Sequence, residues 1–352
     1  MDDLRTPEWP REDLESQNDC PLCRTGRRRM LHGGLEDRLF GAAGHWTLWK
    51  CPDCGCGWLD PRPDRTSIAR AYAGYLTHSV SESAIRLTRP GILQGLKEQA
   101  VHAWLNHALG YQLSPVLPLP VACRILSRQR QRQILNRVRH LPCPTDGRTR
   151  VLDVGSGNGA FLLIAQTLGY KATGLEPDPH AVSLARKSGC TVHAGSLPHP
   201  DLPREHYDHI TLAHVLEHLH DPLATLRECL TLLRPGGRLW VQTPNLEGAG
   251  HAYWGSDWRG LEPPRHLVLL TPESLQRTLC EAGFRETRLL PSPLEAHEMF
   301  RHSLAIRLGI DTRVARKPRL DRAGRTAARR ADHAALEDPA AAEAITAVAW
   351  KR

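Results

Sequence analysis

Three groups of residues in this 352-residue chain have the types and spacing to do chemistry. The first is a glycine run, Gly155-Ser156-Gly157-Asn158-Gly159, that starts two residues after Asp153. Glycines let a backbone turn tightly and let a ligand lie against bare main chain. The second is His214-Val215-Leu216-Glu217-His218-Leu219-His220-Asp221. It sets imidazoles, which change charge near neutral pH, beside a carboxylate, a combination suited to moving a proton. The third is a pair of C-x-x-C knuckles, Cys20-Pro21-Leu22-Cys23 and Cys51-Pro52-Asp53-Cys54, whose four thiolates suit tetrahedral zinc.

The cysteine pairs predict a small zinc ribbon. Trp46 to Lys50 reads as a strand running into the second knuckle, and a glycine-rich stretch separates the two. Four thiolates leave no open coordination position, so Zn2+ held by Cys20, Cys23, Cys51 and Cys54 would be structural. So short a module with so little apolar sequence needs the metal to fold. Cys56 stands close enough to replace Cys54 or to be a spare thiol.

The glycine run sits between two elements that must position it. Val151, Leu152 and Val154 form the apolar run of a buried parallel strand. Phe161, Leu162, Ile164, Ala165 and Leu168 follow at helical spacing. Strand, glycine turn and helix open a doubly wound α/β fold. Tyr170 to Glu176 reads as a second strand ending in an acid, with Pro177 and Asp178 after it. Glu176 lies about twenty residues past the turn, where such folds place an acid on a ribose hydroxyl pair. No Gly-Lys-Ser/Thr follows the glycines, which excludes a phosphate-cradling P-loop.

The pattern D-x-G-x-G-x-G over Asp153 to Gly159 resembles the first motif of the class I S-adenosylmethionine-dependent methyltransferases, and Glu176 resembles their ribose-binding motif. The resemblance implies S-adenosyl-L-methionine as methyl donor, held by Asp153, Gly155, Ser156, Gly157, Asn158, Gly159, Phe161, Glu176, Pro177 and Asp178. Gly195-Ser196-Leu197 takes the place where the family often has an acid for the adenine amine. That acid is missing, which leaves Ser196, Leu197 and backbone for the adenine. Tyr207 to Ala213 is a strand that delivers His214, on the donor side, and the H-x-x-E-H run. That run is also the inverted zinc-protease motif, which needs both histidines on one helix face. Here it follows a strand and resembles instead the fourth motif of ubiquinone-type and sugar-pathway methyltransferases. Methyl transfer needs an in-line nucleophile and often a base to take its proton. His218 is the first choice for that base and His214 the second, with Glu217 orienting an imidazole or the substrate. His266 lies in a P-x-H-L-like element of a Trp- and Gly-rich loop, Leu246 to Leu270, and is an alternative base.

The cysteine knuckles, WKCPDCGCGWLDPRPD and AYAGYL also resemble the N-terminal zinc-binding part of bacterial methyltransferases of sugar and polysaccharide pathways. The chain then divides into a polar, mobile leader (1–19), a zinc-ribbon module (20–80), a helical and basic connecting region (81–149) and a donor-binding domain (150–352). Helices are expected with Ile68, Ala69, Tyr72 and Tyr75, over Gln99 to Ala108, over Arg124 to His140 and over Glu295 to Leu308. Arg234-Pro235-Gly236-Gly237 stops a helix and turns into a fifth strand, and Phe284 to Leu290 is a sixth. Glu343 to Trp350 resembles the last, antiparallel strand of a seven-stranded methyltransferase sheet, which makes 292–342 a helical insertion or cap.

Charge is uneven. The chain carries +8, yet residues 151–291 hold 12 Lys/Arg against 15 Asp/Glu. The core is therefore no basic nucleic-acid platform, and the surplus lies in the flanks. Basic flanks would suit peripheral contact with an anionic membrane or a phosphorylated substrate. The first residues lack an apolar secretory segment, and ten cysteines with two metal-spaced pairs fit a reducing cytoplasm. The expected activity is methyl transfer to a hydroxyl or carbon of a small-molecule acceptor, sugar- or polyketide-like, free or nucleotide- or lipid-linked. The alternatives are an RNA methyltransferase and an inactive zinc-dependent interaction protein.

Overall fold

The computed structural model describes residues 8–72, 92–312 and 315–352. Strand β1 (Leu14–Glu15) pairs antiparallel with β5 (Arg62–Pro63). Between them β2 (Arg29–Leu35), β3 (Trp46–Lys50) and β4 (Gly57–Leu59) form an antiparallel meander. The cysteine knuckles flank β3, as the ribbon layout predicts. The expected leader is not free from residue 8 onward. Trp9 is buried edge-on to Trp46, ring centroids 5.6 Å apart, and Trp58 donates its indole N–H to the carbonyl of Gln17 at 2.8 Å. Burying two large indoles outweighs the polarity of the flanking residues. Ile68–Tyr72 is a short 3-10 turn, and Tyr75 lies outside the described residues.

Helix α1 (Ile92–Leu109) begins earlier than Gln99, and the proline-rich 110–118 segment ends it. The helix expected over Arg124 to His140 is two: α2 (Leu119–Ile125) and α3 (Arg128–Arg137). They break at Leu126-Ser127, because the Ser127 hydroxyl accepts the Arg130 N–H and starts a new helix.

The main sheet has seven strands. These are β6 (Arg150–Val154), β7 (Lys171–Glu176), β8 (Thr191–Ala194), β9 (Tyr207–Ala213), β10 (Leu233–Pro244), β12 (Glu286–Leu290) and β13 (Ala344–Trp350). Their order is β12-β13-β10-β9-β6-β7-β8, all parallel except β13, which runs antiparallel to both neighbours. Helices α4 (Ala160–Thr167), α5 (Pro179–Lys187), α6 (Pro222–Leu232), α7 (Ala249–Trp254) and α8 (Pro272–Ala282) connect them. Thr271 and Ser274 close a capping box on α8, and Gly283 ends it at φ 107°. Residues between β12 and β13 fold into α9 (Ala296–Arg307) and α10 (Arg322–Glu337), a helical pair at the place expected for the cap.

The loop after β10 contributes a strand to the ribbon. β11 (Val268–Leu269), from the loop after β10, pairs antiparallel with β4 and completes the ribbon as a four-stranded sheet. One apolar cluster accordingly runs from Cys20, Cys51 and Trp58 through Leu267 and Leu270 to Leu152, Val154 and Leu212 under the glycine turn. α3 also belongs to this body: Asn136 and Gln242 exchange side-chain hydrogen bonds, and Arg132 donates to the carbonyls of Ala335 and Leu336 at the end of α10.

Candidate functional site

The glycine turn is held at the carboxyl end of β6. Gly155 and Ser156 donate to the Leu175 carbonyl of β7, at 2.8 and 3.2 Å. Gly155, Gly157 and Gly159 all take positive φ (72°, 53° and 81°), which only glycine adopts without strain. Their reasons differ. A Cβ on Gly155 would lie 2.6 Å from Val215, and one on Gly159 2.9 Å from Ala185 and 3.0 Å from the Cys190 sulfur. A Cβ on Gly157 would meet nothing within 4 Å. Packing fixes the two outer glycines, while Gly157 opens onto free space.

Glu176 closes the turn from the end of β7. One carboxylate oxygen accepts the Gly157 N–H at 2.8 Å and the other the Asp178 N–H at 3.0 Å. Burial raises its pKa, and those two N–H donors oppose the rise. Asp178 caps α5 by accepting the His180 N–H, and Asn158 accepts the Ala160 N–H at the start of α4. Pro177 and Ser196 are exposed beside the turn, and Leu197 packs partly into the core.

Asp153 does not reach the surface. It is fully buried, its carboxylate bound by Arg139 and by the Thr211 hydroxyl at 2.9 Å. Arg139 in turn lies over the Phe161 ring, 3.7 Å from its centroid. In the sequence Arg139 is one of several arginines in a basic run; its only distinguishing signal is its place at the end of that run, just before β6.

The H-x-x-E-H run crosses the end of β9. His214 holds a left-handed backbone, φ 54°, and donates its N–H to Gln242 at 2.8 Å. Such strain is retained where the surroundings fix it, often at sites of function. Leu216–His218 is a single 3-10 turn, so the two histidines do not share a helix face as a protease site requires. Glu217 is completely buried, one oxygen 3.1 Å from His214 Nδ1 and the other accepting the Thr243 hydroxyl at 3.0 Å. Burial opposes its charge, yet His214 outweighs burial and lowers the Glu217 pKa to about 2. Burial likewise opposes the His214 cation, but Glu217, backed by Glu295 and Glu262, raises its pKa. Nearly half of the His214 side chain remains open to solvent.

His218 is half-buried. Its Nδ1 lies 3.0 Å from the Tyr72 hydroxyl and 3.1 Å from the Arg265 carbonyl, and its ring stacks edge-on to His266 at 4.8 Å. Donation from Nδ1 to that carbonyl leaves Nε2 as the basic nitrogen. His266 is 5% exposed, and Nδ1 donates to the Gly260 carbonyl at 2.8 Å. Burial drives its pKa down to about 4 against the pull of Glu262. Of the three histidines, His214 is biased toward the cation and His266 is sealed. Glu217, His218 and His266 each bring one ligand atom within 4.8 Å of the others. Both Glu217 oxygens are already engaged, by His214 and by Thr243.

The ribbon builds one wall of this region. Tyr72 comes from it, and Arg265, fully buried, ties the loop to Asp37 at 2.8 Å and to the Ala71 carbonyl at 2.8 Å. Leu267 donates to the Glu217 carbonyl at 2.7 Å and accepts from the Leu59 N–H at 3.0 Å. Sequence reading placed Tyr72 only in a helix, because its partner lies 146 residues away.

The sulfur atoms of Cys20, Cys23, Cys51 and Cys54 gather within 4.8 Å of one another. Cys20 lies 3.6 Å from Cys54, and Cys23 3.5 Å from Cys51. Zn–S bonds of about 2.3 Å in a tetrahedron need sulfurs roughly 3.8 Å apart, so the four thiols are compatible with zinc. Cys56 is buried, 3.4 Å from both Cys20 and Cys54. Hydrogen bonds from Cys54 and Cys56 hold the Cys20 thiol far below its ordinary pKa, so the pocket favours a thiolate.

Residues 126–289 match a protein family described as a methyltransferase domain. A ubiquinone biosynthesis O-methyltransferase of Xanthomonas euvesicatoria is 37% identical over 110 residues, 29% of this chain and 46% of that protein. One from Methylocella silvestris is 29% identical over 199 residues, 52% of this chain and 77% of that protein. The chain thus spans about half the length of the first of these relatives. A SAM-dependent methyltransferase from Archaeoglobus fulgidus is similar with TM-score 0.42 and 18% identity, over 64% of this chain and 95% of that one. With the strand-glycine-helix turn, the acid at the end of β7 and the family match in agreement, the chain carries a class I S-adenosylmethionine-dependent methyltransferase domain.

Proposed function

We propose that the protein transfers a methyl group from S-adenosyl-L-methionine to a hydroxyl or carbon of a small acceptor. The observation that carries this reading is the Gly157 turn, open to ligand and closed by Glu176, facing the His214–His218 run across the end of the sheet. The donor supplies an electrophilic methyl on a sulfonium. Gly155 to Gly159 give it bare backbone, and Glu176 accepts from the ribose hydroxyls, with Pro177 and Asp178 alongside. Ser196 and Leu197 flank the adenine. Arg139, held in place by Asp153, supplies the cation for the donor's carboxylate. On the acceptor side His218 takes the proton through Nε2, oriented by the Arg265 carbonyl and Tyr72. Glu217 fixes His214, whose raised pKa suits a donor of hydrogen bonds better than a base. Relatives named for ubiquinone biosynthesis support an oxygen acceptor. Structural Zn2+ on Cys20, Cys23, Cys51 and Cys54 completes the protein.

The test is calorimetric titration of zinc-loaded protein with S-adenosylmethionine and S-adenosylhomocysteine. Micromolar binding is the expected result, and no binding by folded, zinc-containing protein overturns the proposal. Glu176→Ala should then raise the donor Kd tenfold or more, since a hydrogen bond to a charged group contributes about 1.5–3 kcal/mol. Arg139→Ala should weaken donor binding about tenfold for the same reason. An unchanged Kd with a lowered melting temperature would reduce Arg139 to a purely structural partner of Asp153.

A further inference from the structure

The described residues contain seven exposed large hydrophobic side chains, and four of them fall in the helical region that precedes β6. They are Leu96 (43% exposed), Val116 (46%), Val121 (43%) and Ile125 (42%). The fold packs the segments that carry them against one another. The Gln99 carbonyl, one turn beyond Leu96 on α1, accepts the Leu117 N–H, and His102 Nδ1 lies 3.0 Å from the Pro115 carbonyl. Those contacts lay Val116 along α1. Val121 and Ile125 then lie one turn apart on α2 and share a face. The other sides of α1, α2 and α3 are spent inward: Ala100, Ala103, Leu105, Ala122, Leu126 and Ile134 pack in one buried cluster that reaches Ile164 of α4.

The charges around these side chains are of one sign. Residues 92–140 contain seven Lys and Arg against a single acid, Glu98. Arg132 and Arg139 point into the protein. Lys97, next to Leu96 in the chain, and Arg124, next to Ile125, are exposed, as are Arg128 and Arg130 in the first turn of α3. An aliphatic patch ringed by cations is complementary to an anionic bilayer, which accepts both apolar side chains and positive charge at its interface. A second copy of this face would meet its own cations. Among the described residues of this region no Trp, Tyr or Phe side chain is exposed for a base to stack on. Among the described residues no helix is long and apolar enough to cross a membrane, so contact would be peripheral.

We propose that the face formed by Leu96, Val116, Val121 and Ile125, with Arg124, Arg128 and Arg130, docks on an anionic lipid surface. Sedimentation with vesicles of phosphatidylcholine containing about one third phosphatidylglycerol tests it, against pure phosphatidylcholine, at about 0.1 M salt where surface charges still act over ~10 Å. The full-length, zinc-loaded protein should sediment with the anionic vesicles, stay in solution with the neutral ones, and be released by added salt. Each exposed cation contributes about fivefold to such binding, so R124Q/R128Q/R130Q should weaken it well over twentyfold. V121N/I125N, on exposed positions, should also abolish it. Both variants should keep the wild-type melting temperature and donor affinity, which separates failure of this proposal from failure of the catalytic reading. Absence of binding to anionic vesicles overturns it. So does binding that neither variant reduces, or sedimentation-velocity evidence that V121N/I125N instead breaks a dimer.

Discussion

His218→Gln should cut methyl transfer by about 10²–10⁴-fold, the usual contribution of a positioned general base. Donor affinity should stay within about twofold, because the hydrogen bonds that close the donor turn run among Gly157, Leu175, Glu176 and Asp178. The loss should fall on kcat with the melting temperature unchanged, a split that loss of packing alone would not produce. Tyr72→Phe removes the hydroxyl 3.0 Å from Nδ1 and should lower kcat by a smaller factor, about tenfold, as expected for one neutral hydrogen bond. The measurement is S-adenosylhomocysteine formation with a competent acceptor, alongside calorimetric donor binding. If His218→Gln retains a rate within threefold of wild type, the base lies elsewhere.

Removal of zinc, or Cys51→Ser, should abolish methyl transfer while leaving donor binding largely in place. Structural zinc contributes about 10–16 kcal/mol to small sites at neutral pH, far more than any single contact in the ribbon. What the ribbon holds is the wall beside His218. β4 pairs with β11, Leu59 donates to Leu267, Asp37 and Ala71 bind Arg265, and Tyr72 meets His218. Losing the metal frees these together, so kcat should fall at least tenfold while the donor Kd changes by less than about threefold. The checks are zinc content by elemental analysis, activity after chelation and reloading, and donor titration of both forms. Equal loss of donor affinity would show that the ribbon supports the whole sheet and not one wall.

What could be read in the sequence was what short-range pattern encodes. The strand-glycine-helix of residues 150–168, the acid at Glu176, the four cysteines and the antiparallel last strand each depend on neighbours within a few residues, through periodicity, positive-φ glycines and metal spacing. Residues 8–19 misled because polarity was visible and the burial of Trp9 against Trp46 was not. The basic run over 124–140 misled because charge composition conceals direction. Arg132 caps α10, Arg139 pairs with a buried acid, and Arg124, Arg128 and Arg130 stay outside.

The sequence by itself determined the fold class, the glycine turn and the gathering of four thiols, because backbone geometry and ligand count constrain those locally. Only the tertiary structure decided how the three histidines divide their roles. His214, His218 and His266 differ in burial and in partners drawn from Tyr72, Arg265, Gly260 and Glu262, and an imidazole takes its proton state from what surrounds it. The same holds for Asp153, whose burial against Arg139 and Thr211 is invisible in the sequence. Contacts between residues far apart in the chain form only when the sheet and ribbon close on each other, and no local pattern records them.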